Sequence, residues 1–364
     1  MKALIRILGT AAALLTLSCC GISNKPQPPQ PPKPDTLTVF VIGDVMMHSP
    51  QLRHDCHNFF KHICKPLAEA DIAIANMEFS LGGKPYTGYP QFSAPDYYAE
   101  YMAEIGTDVF LTANNHILDR GSKGLTRTLD FYRSMKDSVL FTGSAASEQE
   151  RDETYPLIID AKGIRLAIVN FTYGTNGIFV EGWPNANYMD STEVKAAIGR
   201  AKDKDADFII AMPHWGEEYN MIHSREQERW AEWLVEQGCD LIIGGHPHSV
   251  QDSTHIGRVP VIYSIGNAVS NQSQHETQIE LAATLRFVKW GSRSIMLEPE
   301  LRYMWCSRPA GLGTSYHTIF VDEWLDRRDQ WQNPADYDRM VSIWEKVKKK
   351  TGVKYEEDDH SGVH

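Results

Sequence analysis

The chain has 364 residues, 42% of them hydrophobic, with a formal net charge of −11. This is an ordinary globular composition, long enough for one large domain or two modest ones, and its acidic balance speaks against bulk attraction to nucleic acid. Fourteen histidines against nine tryptophans and six cysteines is a histidine-rich balance, and imidazole is the commonest metal ligand.

The first element is a targeting segment. Lys2 and Arg6 form a short positive region, and Ile7 to Leu17 is an apolar stretch too short to span a bilayer. Its removal takes two positive charges and leaves a more acidic product. Leu15-Thr16-Leu17-Ser18-Cys19-Cys20-Gly21 resembles a bacterial lipoprotein box, with Cys19 or Cys20 as the lipidated residue; a plain cleaved signal peptide is the alternative. Residues 25–34, rich in proline, form a polyproline II spacer that holds a domain off a surface. The order of signal, cysteine and stalk predicts an exported lipoprotein of a bacterial cell envelope, with residues 1–19 as signal peptide and 20–36 as tether. The remaining cysteines, Cys56, Cys64, Cys239 and Cys306, make no disulfide framework and no CxxC zinc pattern; Cys56 and Cys64 are either a local pair or free thiols.

From Leu37 the pattern becomes α/β. Leu37 to Ile42 is a short apolar run ending at Gly43-Asp44, the signature of a buried strand with a functional loop at its end. The same grammar recurs: Asp71 to Ala75 leads to Asn76 and Glu78, Val109 to Thr112 to Asn114-Asn115-His116, and Phe208 to Met212 to His214. It recurs twice more, with Leu241 to Ile243 leading to Gly244-Gly245-His246-Pro247-His248 and Val261 to Ser264 leading to Asn267. Helical spacing falls between these runs, at Tyr97 to Ile105, Leu125 to Met135, Ser191 to Lys202 and Arg225 to Gln237. Pro156 to Asn170, with a turn at Ala161-Lys162-Gly163, and Glu280 to Trp290 read as strands of a meander or second sheet. The spacing predicts one domain over residues 37–321, then a C-terminal helical extension over 322–364 that ends in a basic cluster and an acidic, disordered tail.

Divalent cations held close together need oxygen and imidazole donors from several loops, with one carboxylate able to bridge. Asp44 follows a glycine that lets the chain turn and aim a carboxylate inward, and Glu78 supplies a second carboxylate suited to bridging. In Asn114-Asn115-His116 an asparagine carbonyl can bind a metal while the imidazole faces substrate; an Asx-turn is the plainer reading. Gly245-His246-Pro247-His248 is the sharpest signal, because two histidines two residues apart after a buried strand can approach one centre. His214 alone is ambiguous.

Taken together, Gly43-Asp44-Val45-Met46, Ala75-Asn76-Met77-Glu78, Ala113-Asn114-Asn115-His116 with Asp119 and Gly121, His214-Trp215-Gly216, Gly245-His246-Pro247-His248 with Gln251, and Ser264-Ile265-Gly266-Asn267 resemble the calcineurin-like metallophosphoesterase superfamily. They resemble more closely its CapA-type branch of capsule and poly-γ-glutamate synthesis proteins, over roughly Leu37 to Asn271. The resemblance implies a four-layer α/β fold, two central mixed sheets flanked by helices. It implies one or two divalent ions, Mn, Zn or Fe, with Asp44 and His248 serving one, Asn115, His214 and His246 the other, and Glu78 between them. His116 would be the catalytic, non-ligand imidazole, with Asp119 beside it. Two departures stand out: Met46 occupies the place of an expected histidine ligand, leaving His48 or water to fill it, and a glutamate replaces the usual bridging aspartate.

The expected activity is metal-assisted hydrolysis of an anionic small-molecule or polymer substrate, a phosphoester or a γ-glutamyl or envelope polymer. The segments Tyr86 to Tyr98 and Trp183 to Asn187 are either groove walls or packed surface loops. A non-catalytic scaffold for exported polymer is the competing reading, favoured by Met46. Neither the natural substrate nor the oligomeric state is legible in the sequence.

Overall fold

The computed structural model describes residues 35–353; the expected signal peptide, the lipidation position at Cys19 or Cys20, the tether up to residue 34 and the acidic tail lie outside the described residues, while Asp35 and Thr36, expected at the end of the tether, open the first strand. Apolar runs form two large mixed sheets. The first runs, strand by strand, through His317–Phe320, Glu300–Ser307, Ile279–Trp290, Asp35–Val45, Ile72–Met77, Val109–Leu111 and Leu140–Thr142. From Asp35–Val45 outward on one side the strands are parallel, and on the other antiparallel. Ile279–Trp290 therefore belongs to this first sheet, beside the opening strand.

The second sheet runs Ser253–Ile256, Val259–Ile262, Leu241–Ile243, Phe208–His214, Ile164–Thr172 and Leu157–Ala161. Its four middle strands are parallel, and the expected turn at Lys162-Gly163 closes a hairpin that adds one antiparallel edge, Ser253–Ile256 forming the other.

Strand alternation sends neighbouring side chains to opposite faces and thereby builds the layers. Val39, Val41, Ile72 and Ile74 meet Leu166, Ile168, Ile210 and Ile243 in one core between the sheets. On the outer face of the first sheet, Phe40, Ile42, Ala73 and Ala75 pack against Leu67, Tyr98, Met102 and Tyr132 from the helices Cys64–Glu69, Asp96–Glu104 and Gly121–Ser134. On the outer face of the second, Ala167, Val169, Ile209 and Ala211 pack against Val194, Ile198 and Leu234 from Ser191–Asp203 and Arg225–Gln237. The result is four layers, two mixed sheets with helices on both outsides.

The C-terminal helix Pro334–Thr351 is capped by Asn333 and stopped at Gly352. Its Met340 and Val347, with Trp324, Trp331 and Val353, join the core between the sheets. Residues beyond the expected boundary at 321 thus contribute apolar side chains to the same core. All four described cysteines are free thiols.

Candidate metal centre

In both sheets the loops that follow the parallel strands meet at one place, where His214 bridges to Gly245 and the N–H of His246 donates to Asp44 Oδ2 at 3.1 Å. Gly43 earns its position by close approach rather than by turning: a Cβ there would lie 1.9 Å from the Gly266 carbonyl oxygen. At Gly245 a Cβ would lie 2.9 Å from Asp44 Oδ1. The left-handed backbone of this loop falls on the histidines instead, with φ of 96° at His246 and 55° at His248. A β-carbon is strained in that region, and such strain persists where the surroundings over-determine it.

The Asp44 carboxylate is fully buried and accepts from the Asn76 amide at 2.7 Å, with His248 Nδ1 at 3.4 Å and His214 Nδ1 at 4.0 Å. Burial favours its neutral form, but the bond to His248, the nearby His214 and His248 rings and the Asn76 amide outweigh it and hold the carboxyl well below the usual range. Glu78 is the opposite case. It is fully buried, neither carboxylate oxygen has a hydrogen-bond partner, and burial followed by the nearby Asp44 charge pushes it well above the ordinary range. Facing its Oε1 are three imidazole nitrogens, Nε2 of His248 at 3.6 Å, of His214 at 3.8 Å and of His116 at 4.0 Å. These gaps are too long for hydrogen bonds, and donors each about 2.1 Å from a common ion lie roughly 3–4 Å apart.

Two ligand groups share Glu78: Asp44, Glu78 and His248, and Glu78, His214 and His246, each with donor atoms within 4.8 Å of one another. Asn115 joins the second, its Oδ1 2.8 Å from His214 Nε2. Burial, partly offset by the Asp44 charge, lowers His214 to about 3, and burial, with the His214 and His248 rings close by, lowers His246 well below its usual value. Both rings are therefore neutral and offer a lone pair; Nδ1 of His246 is buried without a hydrogen-bond partner. His248 Nδ1 sits 2.8 Å from Asn267 Oδ1, which fixes the ring with Nε2 toward Glu78. The donor set and the orphaned carboxylate fit a divalent ion.

His116 closes the group from the side of the two clefts that it lines. Its Nδ1 lies 2.7 Å from Asp119 Oδ2, and that oxygen also accepts from the Phe92 N–H at 2.6 Å. Asp119 thus stands behind the imidazole as a positioning group. The structure brings Asp44, Glu78, Asn115, His116, His214, His246 and His248 together. Met46 lies buried beside them with no donor nitrogen, and the Nδ1 of His48 is engaged, accepting from the Asn271 N–H at 3.2 Å and lying 3.2 Å from Gln51 Oε1.

Three neighbours escaped the sequence reading. Tyr173 lays its ring 4.4 Å from that of His246, and Asn176 accepts from the Asn115 amide at 3.2 Å while its own amide reaches His116 Nδ1 at 3.4 Å. Glu218 forms a third ligand-distance group with His246 and His248. Its one sequence signal was its place four residues after His214 in the same post-strand loop.

Two clefts of about 390 Å³ each flank His116 and share Tyr89, His116 and Glu218. Tyr89 lines both and Pro90 and Gln91 one of them, so this part of the Tyr86 to Tyr98 segment is a groove wall while Phe92, Ala94 and Tyr98 pack in the core. Trp183 instead stacks against Arg151, and Asn187 lines a separate cavity at the far sheet edges.

The sequence model of a bacterial capsule synthesis protein family, PGA_cap, matches residues 38–272, which carry every strand-end residue described above. The chain belongs to the PGA_cap family. Among relatives of this PGA_cap chain, the capsule biosynthesis protein CapA of Bacillus anthracis is 29% identical over 260 residues, covering 67% of this chain and 62% of that protein. The chain thus spans about three fifths of that relative's length. The PGA biosynthesis protein CapA of Bacillus subtilis (strain 168) is 22% identical over 280 residues, covering 73% and 71%. Solved structures similar to it include the calcineurin-like phosphoesterase YfkN from Bacillus subtilis, with TM-score 0.46, 14% identity and coverage of 74% and 90%. A phosphatase from Mycoplasma pneumoniae has TM-score 0.46, 13% identity and coverage of 74% and 94%.

Proposed function

We propose that this PGA_cap chain is a metal-dependent hydrolase anchored at the cell envelope by a lipid on Cys19 or Cys20. One observation carries the reading: a fully buried carboxylate, Glu78, has no hydrogen-bond partner and faces three imidazole nitrogens at 3.6–4.0 Å. A buried polar group left unpaired is costly, and a cation among these donors removes the cost. Asp44, Glu78 and His248 would hold one ion, and Glu78, Asn115, His214 and His246 a second, of Mn, Zn or Fe. Such ions, when bound, activate water near neutral pH and polarise a phosphoryl or carbonyl oxygen.

The chain's own residues do the rest. His116, held through Nδ1 by Asp119, turns Nε2 toward the centre, where it would serve the leaving-group oxygen as proton donor. Phe92 packs edge-on against that ring at 4.6 Å and limits its rotation. The two clefts on either side of His116 suit an extended chain lying across the centre rather than a small molecule in a closed pocket. Neither cleft is lined by Lys or Arg, so attraction of an anionic phosphoester or γ-glutamyl polymer falls to the ions themselves.

Met46 favours a second reading, a non-catalytic scaffold for an exported polymer, since the Asp44 side offers one donor fewer. Elemental analysis of the purified chain, with a screen of phosphodiester, phosphomonoester and γ-glutamyl substrates, separates the two. Bound metal with turnover of one class supports the hydrolase; absence of both leaves the scaffold.

A further inference from the structure

We infer that Glu218 is the donor that makes up for Met46, closing the centre from the solvent side with a carboxylate. The inference rests on the metal-centre reading above. Donor atoms of Glu218, His246 and His248 lie within 4.8 Å of one another, and these two imidazoles are also the ones that group with Glu78 on the buried side. Glu78 is fully buried while Glu218 is exposed and lines both clefts, so the two carboxylates approach the same histidines from opposite ends.

The position of Glu218 is built rather than incidental. Its loop is stapled on both sides to the loop that carries His246 and His248: the Trp215 N–H donates to the Gly245 carbonyl at 3.1 Å and the Tyr219 N–H to the Pro247 carbonyl at 2.7 Å. The Trp215 indole N–H anchors the base of the loop on the Tyr263 carbonyl at 2.9 Å. Between the staples the chain turns through positive φ at Gly216 (90°) and Tyr219 (66°). At Gly216 a Cβ would fall 2.6 Å from the Gln227 side chain. The adjacent Glu217 is occupied elsewhere, accepting from the Asn220 amide at 2.9 Å.

A separate observation points to a ligand here, the buried His246 Nδ1 without a hydrogen-bond partner. On the Asp44 side the alternatives are poor. The Met46 thioether suits soft ions, and His48 Nδ1 is taken by the Asn271 N–H. A carboxylate oxygen is a good donor for Mn²⁺, Zn²⁺ or Fe²⁺.

The test is a Mn²⁺ titration of the metal-stripped chain, followed by calorimetry and by the electron paramagnetic resonance signal of free Mn²⁺. Glu218→Gln should weaken the weakest Mn²⁺ binding step by about tenfold or more, in the range typical of lost metal-site contacts. Glu217→Gln should match the wild type, and adding Met46→His to Glu218→Gln should recover affinity, because an imidazole then fills the gap. A thermal melt of each variant checks that it is folded. Unchanged Mn²⁺ affinity in Glu218→Gln, or an equal loss in Glu217→Gln, overturns the role of Glu218 and leaves the metal centre standing. A wild-type chain that takes up no Mn²⁺ removes the centre itself, and the inference with it.

Discussion

The two ends of the parallel strands carry the same chemical group under opposite conditions. At the N-terminal ends, Asp71, Asp108, Asp207 and Asp240 each close a reciprocal pair with the strand beside them. Each donates its N–H to the carbonyl of Thr38, Ala73, Arg165 or Ile209, and its carboxylate accepts the N–H of that same residue at 2.8–2.9 Å. At the C-terminal ends, Glu78 has no hydrogen-bond partner and Asp44 is crowded by imidazoles. A carboxylate at a strand end is thus marked as functional neither by its type nor by its position. Glu78 is marked by hydrogen-bonding capacity that the protein leaves open, and Asp44 by the imidazoles gathered around it.

Substitution at each end should break the symmetry in opposite ways. The largest effect is on metal: His246→Ala and Glu78→Gln should each lose most of the bound metal, read by elemental analysis, whereas Asp108→Ala should keep wild-type content. Metal loss in Asp108→Ala would put the two ends on the same footing. Next comes rate. His116→Ala should retain metal and lose roughly 10²–10⁴-fold in turnover of whichever substrate class the screen identifies, the usual worth of a positioned acid or base. Equal metal loss in His116→Ala and His246→Ala would contradict their separate roles.

Stability should divide along the same line. In a chelator, Glu78→Met should stabilise the chain by about 1–3 kcal/mol, because it removes an unpaired buried polar group, while Asp108→Ala should destabilise it by about 1–3 kcal/mol by stripping the buried Ala73 N–H of its acceptor. Urea unfolding of both metal-free variants reads the two signs.

The sequence made the satisfied and unsatisfied ends equally visible, as an aspartate before an apolar run or a polar residue after one, but not the difference between them. That difference depends on which strand lies alongside, and adjacency is a long-range property: the run at Ile279–Trp290 read as part of a meander or second sheet, yet it flanks Asp35–Val45. Helices were more legible because their limits are local. Arg225–Gln237, predicted from its spacing, begins at a Ser224–Gln227 capping box and stops at Gly238 in the left-handed region. The amphipathic pattern after Trp331 gave the C-terminal helix but not its docking surface, since an apolar stripe does not name its partner. Glu218 was illegible for a simpler reason: it and Glu217 are adjacent identical residues, and only the folded loop turns one toward His246 and the other toward Asn220.

The smallest predicted effect sharpens the comparison within the structural end itself. Asp207 holds Lys289 Nζ at 2.8 Å and Ser294 Oγ at 2.8 Å, tying the second sheet to the hairpin that Ile279–Trp290 of the first sheet forms with Arg293–Met296. Burial favours its neutral form, but Lys289, the Arg165 N–H and Ser294 outweigh it, and its carboxyl titrates below the ordinary range. A carboxyl whose folded pKa is depressed contributes stability that is complete above its unfolded value and is lost as pH falls through the folded one. Asp207→Asn should therefore cost about 1 kcal/mol or less at neutral pH, given how far solvent screens this pair, and the deficit should close in acid. Asp240 has the opposite shift, raised by burial against the pull of the Ile209 N–H and Lys202. Ionisation then weakens the fold as pH rises through the folded value, so Asp240→Asn should be neutral to slightly stabilising at pH 7, with that difference also vanishing in acid. Urea unfolding of both variants across pH 3–7 decides the matter: a deficit of the same sign and pH course in both would mean that the backbone pairing, and not the surrounding charge, sets what these carboxylates contribute.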